Sequence, residues 1–283
     1  MRVLFFSTYE IVKQSGGVES VTRFLYEYLN SNGYSVYLMY WQNHKGLKSE
    51  LCQVGLPDKC NMNSLCNIDF IKSYLIKNEI DVVINQTAVN SRTSAGCTIA
   101  CNELKIPLVS VLHNTPDLFL RENKFFKIFF YTSFTRLLIY RMWYYFQSVF
   151  RGFKGGKFIF DNSSCVVLLS KKYFNDYCYI NTNSNFDKIE VINNPAILQI
   201  PVLPSDKENV VVFVGRLEPQ KSVDKLLDIW YIIESKYKDL GWKLYILGDG
   251  SCRRYLENLS KNMRLRNVRF VGMVDPNEYY KRA

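Results

Sequence analysis

The sequence has little of what metal sites and hydrolases are built from. It holds only two histidines, His44 and His113, and none of its eight cysteines forms a C-x-x-C pair. A zinc site is therefore excluded as an expectation. No G-x-S-x-G, H-E-x-x-H or G-x-x-x-x-G-K-[ST] pattern occurs, which removes the usual hydrolase and P-loop readings. Carboxylates do not pair at suggestive spacing. No run of eighteen or more apolar residues is free of charge, so no membrane-spanning helix is expected. The chain opens directly on the strand-like "MRVLFFSTYE". It shows no signal peptide, and the cysteines read as reduced thiols of a cytoplasmic protein.

What is present is a large apolar fraction and an excess of positive charge. Of the 283 residues 48% are hydrophobic, and the formal net charge is +10. The first allows a sizeable core and argues against disorder. The second points to an anionic partner: a phosphorylated substrate, a nucleic acid or a membrane surface.

Apolar periodicity alternates between strand and helix. Val3–Phe6 predicts a short buried strand, and Val18, Val21, Leu25 and Tyr28/Leu29 lie at helical spacing. Asn32-Gly33 stops that helix before the strand Tyr34–Tyr40. This is a βαβ unit, for which a right-handed crossover is expected. Further strands are predicted at Asp81–Asn85, Pro107–Leu112, Cys165–Ser170 and Ile189–Asn194. The pattern lapses over Pro195–Glu208, the best domain boundary. It restarts with a strand at Val210–Val214, a helix from about Ser222 to Lys236 and a strand at Lys243–Leu247. A helix over about Cys252–Met263 and a strand at Val268–Val271 follow, and Asp275 can cap one more helix with Pro276 at its first position. The expectation is α/β with two Rossmann-like parallel-sheet domains. Residues 1–200 form the first, 201–208 a linker and 209–283 the second. Three strands fall short of the five or six usual in an open doubly wound sheet, so the second domain reads as incomplete.

Ligands of such sheets bind at the carboxyl ends of the strands. Four stretches qualify. Gly16-Gly17 opens the first helix, either as an anion-binding helix start or as an ordinary loop. His113 follows "PLVSVL", as a catalytic group or a structural histidine. Asn193 and Asn194 stand at the predicted hinge, as contacts or as turn formers. In "VVFVGRLEPQKSVDKLLDIW", Gly215 permits a tight turn, Arg216 offers a planar fork and Lys221 adds a point charge before a helix start. Those last residues make a good diphosphate clamp, set against the alternative of two solvated surface cations. The turn "GDG" after "LYIL" says little alone.

Taken together, "GGVESVTRFLYEYLNSNGYSVYL", "SVLHN", "VVLLSKKYFNDY", "VINNP", "VFVGRLEPQKSVDKLLDIW", "WKLYILGDGS" and "NVRFVGMVDPNEYY" resemble the family 4 glycosyltransferases. These are retaining enzymes of the GT-B fold. The resemblance spans nearly the whole chain. It implies transfer of a sugar from a nucleotide-sugar to a saccharide or lipid-linked acceptor, in surface polysaccharide synthesis. Gly16 and Gly17 would bring backbone N–H groups to the donor diphosphate or the acceptor, and His113 would lie beside the transferring sugar. Arg216 and Lys221 would hold the diphosphate, so no metal or other cofactor is needed. The family continues past "NVRFVGMVDPNEYY" into a later helix bearing an E-x7-E signature, and the sequence ends at Ala283 before that segment, which reads as a C-terminal truncation. A non-catalytic acceptor-side subunit or an inactive fragment is the alternative.

Between Arg121 and Lys157 stand eight Lys/Arg, one Glu and thirteen aromatics. The segment suits peripheral contact with a membrane, at the inner face of the cell membrane. The alternative is helices packed on the first sheet with snorkelling cations. Single-stranded nucleic acid is disfavoured, because the aromatics fall at helical, core-like spacing.

Overall fold

The computed structural model describes residues 1–12, 16–43, 49–87, 91–114, 116, 155–180, 186–195, 207–237 and 241–283. The predicted linker and the Arg121–Lys157 segment lie almost wholly outside the described residues. The chain divides into two compact units, Met1–Pro195 and Ala196–Ala283.

The first unit holds β1 (Arg2–Tyr9), α1 (Gly17–Ser31), β2 (Ser35–Gln42), β3 (Val54–Gly55), α2 (Leu65–Lys77) and β4 (Val82–Asn85). Next come α3 (Ser91–Glu103), β5 (Leu108–Leu112), β6 (Cys165–Leu168), α4 (Lys172–Ile180) and β7 (Ile189–Val191). Its seven strands run parallel in the order β3-β2-β1-β4-β5-β6-β7. β1 shows why both sheet faces must be covered. Leu4 and Phe6 pack with Ile68, Ile71 and Leu75 of α2 and Cys97 and Cys101 of α3. Their alternates Val3 and Phe5 pack on the other face with Leu25 and Leu29 of α1. A strand buried on both faces loses the in–out alternation and reads as a continuous apolar run. Each such side chain contributes roughly 1.5–3 kcal/mol by leaving water.

The second unit holds β8 (Val210–Val214), a 3₁₀ turn (Pro219–Lys221), α5 (Val223–Lys236), β9 (Lys243–Leu247), α6 (Arg253–Asn262), β10 (Val268–Gly272) and α7 (Asn277–Tyr280). Its strands are parallel in the order β10-β9-β8. Val223, Leu227 and Trp230 recur along α5 at helical spacing and bury against Leu244 and Ile246 of β9. Val210, Tyr245 and Leu247 pack with Tyr279 in a second cluster. The backbone N–H of Asn277 donates to Asp275 Oδ1 at 3.0 Å, as a capping residue there should receive it. Among the described residues no helix is long and apolar enough to cross a membrane.

Candidate functional site

In the first unit the strand order reverses between β1 and β4, the place where open α/β sheets form their ligand crevice. Gly16 is the N-cap of α1 and Gly17 its first residue, with no side-chain cap. A Cβ on Gly16 would lie 2.9 Å from Glu19 Oε2, whereas one on Gly17 would meet nothing within 4 Å. Glu19 thus lays a carboxylate over the positive end of α1, where a ligand anion would otherwise sit.

At the ends of β4 and β5 the structure joins His113 to Gln86, a residue that no sequence motif marks. His113 Nε2 lies 2.5 Å from Gln86 Oε1. With Nε2–H as donor, Nδ1 keeps its lone pair as an acceptor. Burial pushes the His113 imidazole down to about 4, so at neutral pH it is uncharged. Asn85 Oδ1 accepts from the Thr87 backbone N–H at 2.9 Å and from Thr87 Oγ1 at 2.7 Å, which fixes the amide's orientation. Among the described residues Asn85 Nδ2 and Gln86 Nε2 are buried without a partner. A buried donor left unsatisfied costs about 1–3 kcal/mol. The signal in the sequence was the polar pair that ends the apolar strand "DVVINQ". Asn193 ties the ends of β7 and β6 together: its Nδ2 donates to Leu169 O at 3.1 Å, just past both strands.

The neutral state of His113 has a measurable consequence. Above pH 6.5 the imidazole is uncharged in both the folded and unfolded chain. As pH falls, the unfolded chain takes up the proton near 6.5 and the folded chain only near 4. Stability is therefore lost across that window, by on the order of 3 kcal/mol. Urea unfolding midpoints between pH 7.5 and 4.5 should fall more steeply for the wild type than for His113→Gln. Equal slopes would show that His113 is not held neutral by burial.

In the second unit the turn after β8 carries the two cations. The Gly215 N–H donates to Leu247 O at 3.0 Å and the Leu217 N–H to Asp249 O at 2.9 Å, so the β8 turn lies along the "GDG" turn after β9. The approach is too close for side chains. A Cβ on Gly248, whose φ is +129°, would lie 2.0 Å from Gly215 O. A Cβ on Gly250 would lie 2.6 Å from Leu217 O. Glu218 latches the two turns, accepting from the Ser251 N–H at 2.9 Å and Ser251 Oγ at 2.7 Å. Those donors, then the charge of Arg216, hold its carboxyl below the usual range. Arg216 and Lys221 themselves are exposed. Neither is in an ion pair among the described residues. Lys221 ends the 3₁₀ turn, immediately before the N-terminus of α5. The arrangement is two exposed cations on a hydrogen-bonded double turn at the carboxyl ends of parallel strands, which suits a diphosphate.

Each unit thus gathers its predicted residues at one end of its own sheet: Gly16, Gly17 and His113 in the first, Arg216 and Lys221 in the second. Among the described residues no cluster of three His, Cys, Asp or Glu could hold a metal ion.

The architecture, α/β with two parallel-sheet units, is GT-B-like, and it is shared with solved glycosyltransferases. The lipopolysaccharide outer core galactosyltransferase WaaB superposes with a TM-score of 0.58 at 16% identity, over 99% of this chain and 70% of its own. An S. aureus TarM mutant in complex with fondaparinux, alpha-GlcNAc-glycerol and UDP gives 0.64 at 11% identity, over 97% of this chain and 78% of its own. Residues 208–283 match the family "Glycosyl transferases group 1". The amylovoran biosynthesis glycosyltransferase AmsD of Erwinia amylovora is 38% identical over 79 residues, 26% of this chain. A glycosyltransferase of Haemophilus influenzae is 29% identical over 93 residues, 32% of this chain, and the matched stretches span only 26% of that relative's own length and 21% of AmsD's.

Proposed function

We propose that the chain is a glycosyltransferase that moves a sugar from a nucleotide-sugar to a saccharide or lipid-linked acceptor. The reading rests on one observation above the others. Arg216 and Lys221 stand exposed, and among the described residues without ion-pair partners, on a turn held against its neighbour through Gly248, Gly250 and Glu218. The likeness of residues 208–283 to group 1 glycosyl transferases supports it. So does the biosynthetic setting of AmsD, which favours surface polysaccharide synthesis.

In this mechanism Arg216 and Lys221 hold the donor diphosphate, and their charge stabilises the departing nucleoside diphosphate without a metal ion. The bond between the anomeric carbon and the β-phosphate oxygen breaks. The acceptor hydroxyl oxygen bonds to the same face of that carbon, and its proton passes to the leaving phosphate oxygen, which retains the anomeric configuration. His113 is neutral and accepts a hydrogen bond from a sugar hydroxyl through Nδ1. Asn85 and Gln86 offer amide N–H groups to sugar oxygens at the same strand ends. Gly16 and Gly17 contribute backbone N–H groups, to the diphosphate with Glu19 turned away or to an acceptor hydroxyl with Glu19 in place. The basic aromatic segment Arg121–Lys157 makes peripheral contact with the inner face of the cell membrane, where a lipid-linked acceptor is presented.

The test is acceptor-dependent release of nucleoside diphosphate from a panel of nucleotide-sugars, with the anomeric configuration of the product read by NMR. Release with a retained anomer is expected. An inverted anomer would refute the mechanism, and no turnover of any donor would refute the activity.

A further inference from the structure

The second unit carries a basic, aromatic edge at the opposite end of its sheet from Arg216 and Lys221. It is assembled where strands begin and helices end. Glu234 near the end of α5 accepts from the backbone N–H groups of Arg266 and Asn267, at 3.0 and 2.9 Å, and from Trp230 Nε1 at 3.0 Å. These bonds draw the end of α5 to the loop that follows α6. The first residue of β9 joins the same edge: the Lys243 N–H donates to Asn209 O at 2.9 Å and the Leu244 N–H to Asn267 O at 2.7 Å. Lys236, Lys243, Lys261, Arg264 and Arg266 are all exposed there. None of the five is in an ion pair among the described residues. Among the described residues, Glu234 and Glu208, the acids close to them, are already engaged. Glu234 is used by the three donors above, and Glu208 accepts twice from Arg282, at 2.6 and 2.8 Å.

Two amphipathic rings stand among these cations. Tyr237 is 50% exposed and Trp242 is 37% exposed, and Lys236 Nζ lies 5.6 Å from the centre of the Tyr237 ring. Cations at helix carboxyl ends are common, because they complement the helix dipole. That accounts for Lys236, Lys261 and Arg264. It does not account for Lys243 and Arg266, nor for an exposed Trp and Tyr beside them.

We propose that this edge is a docking surface for an anionic lipid bilayer. Lysine and arginine near a negative surface gain from its potential, and Trp and Tyr settle at headgroup level with an apolar body and a polar tip. The residues of this edge are other than those of the Arg121–Lys157 segment, and the edge does not depend on the transferase activity.

Sedimentation with vesicles tests it, using phosphatidylcholine:phosphatidylglycerol 3:1 against pure phosphatidylcholine. Each cation near an anionic surface contributes on the order of fivefold in partition. A Lys243→Gln/Arg264→Gln/Arg266→Gln variant should therefore lose about a hundredfold on the anionic vesicles, and Trp242→Ala about tenfold. Unchanged far-UV circular dichroism establishes that the variants are folded. Should the triple variant unfold, the single Arg264→Gln variant should still lose about fivefold. A Lys124→Gln/Lys127→Gln/Arg136→Gln variant separates the two surfaces. The proposal is overturned if only that variant loses binding, or if pure phosphatidylcholine vesicles bind equally. It is also overturned if neither vesicle binds, or if the edge cations retain a single-stranded oligonucleotide and no vesicle.

Discussion

Arg216→Ala and Lys221→Ala are each expected to lower kcat/KM for the nucleotide-sugar by about 30- to 1,000-fold, or 2–4 kcal/mol of transition-state stabilisation. The loss should fall on kcat as well as KM, because the diphosphate carries most negative charge as it departs. Folding should be untouched. Both side chains are exposed and without ion-pair partners among the described residues, so removing them leaves no buried group unsatisfied. Arg216→Lys should recover only part of the loss, since an ammonium cannot present the fork that binds two oxygens together. Steady-state kinetics alongside thermal unfolding check this. Unchanged kinetics in both alanine variants would remove the clamp from the mechanism.

The second large effect is on stability. Gly248→Ala and Gly250→Ala should each destabilise the second unit by about 3 kcal/mol or more, a fall of about 10 °C or more in its melting temperature. The new methyl groups would stand 2.0 Å from Gly215 O and 2.6 Å from Leu217 O. Both obstacles are backbone, so no rotamer change relieves them. At Gly248 the φ of +129° adds strain for any other residue. Gly17→Ala is the contrasting control. Its methyl group meets nothing within 4 Å at the start of α1, and the melting temperature should hold or rise slightly. Equal melting temperatures for the three variants would mean that the two turns are not in contact.

That contrast bears on what could be read from the sequence. The strand Val210–Val214 and its following "GRLEPQK" were legible, because β-branched residues, a glycine break and a helical pattern follow one another within a few positions. The partner turn "GDG" was not, because two glycines say nothing of what approaches them; their meaning lies in the carbonyls of Gly215 and Leu217. The helix α3 escaped for a related reason. Its sequence "SRTSAGCTIACNE" uses small side chains instead of a leucine stripe. Close packing holds it, with a Cβ on Gly96 only 3.3 Å from Asn63 Cα, and such tertiary support leaves no periodic trace. His113 was legible as a strand-end residue. Its uncharged state was not, since burial and the Gln86 amide determine it. Asn85 and Gln86 were hidden because an amide at a strand end reads as a turn former until its bonding partners are counted.

The most direct test of the central claim is binding of UDP, GDP, ADP and inorganic pyrophosphate to the chain by isothermal titration calorimetry, for the wild type and for Arg216→Ala/Lys221→Ala. The account predicts that at least one nucleoside diphosphate binds the wild type without added metal ion, and that the double variant weakens it at least 30-fold. No binding to the wild type, or equal binding to both proteins, would contradict it.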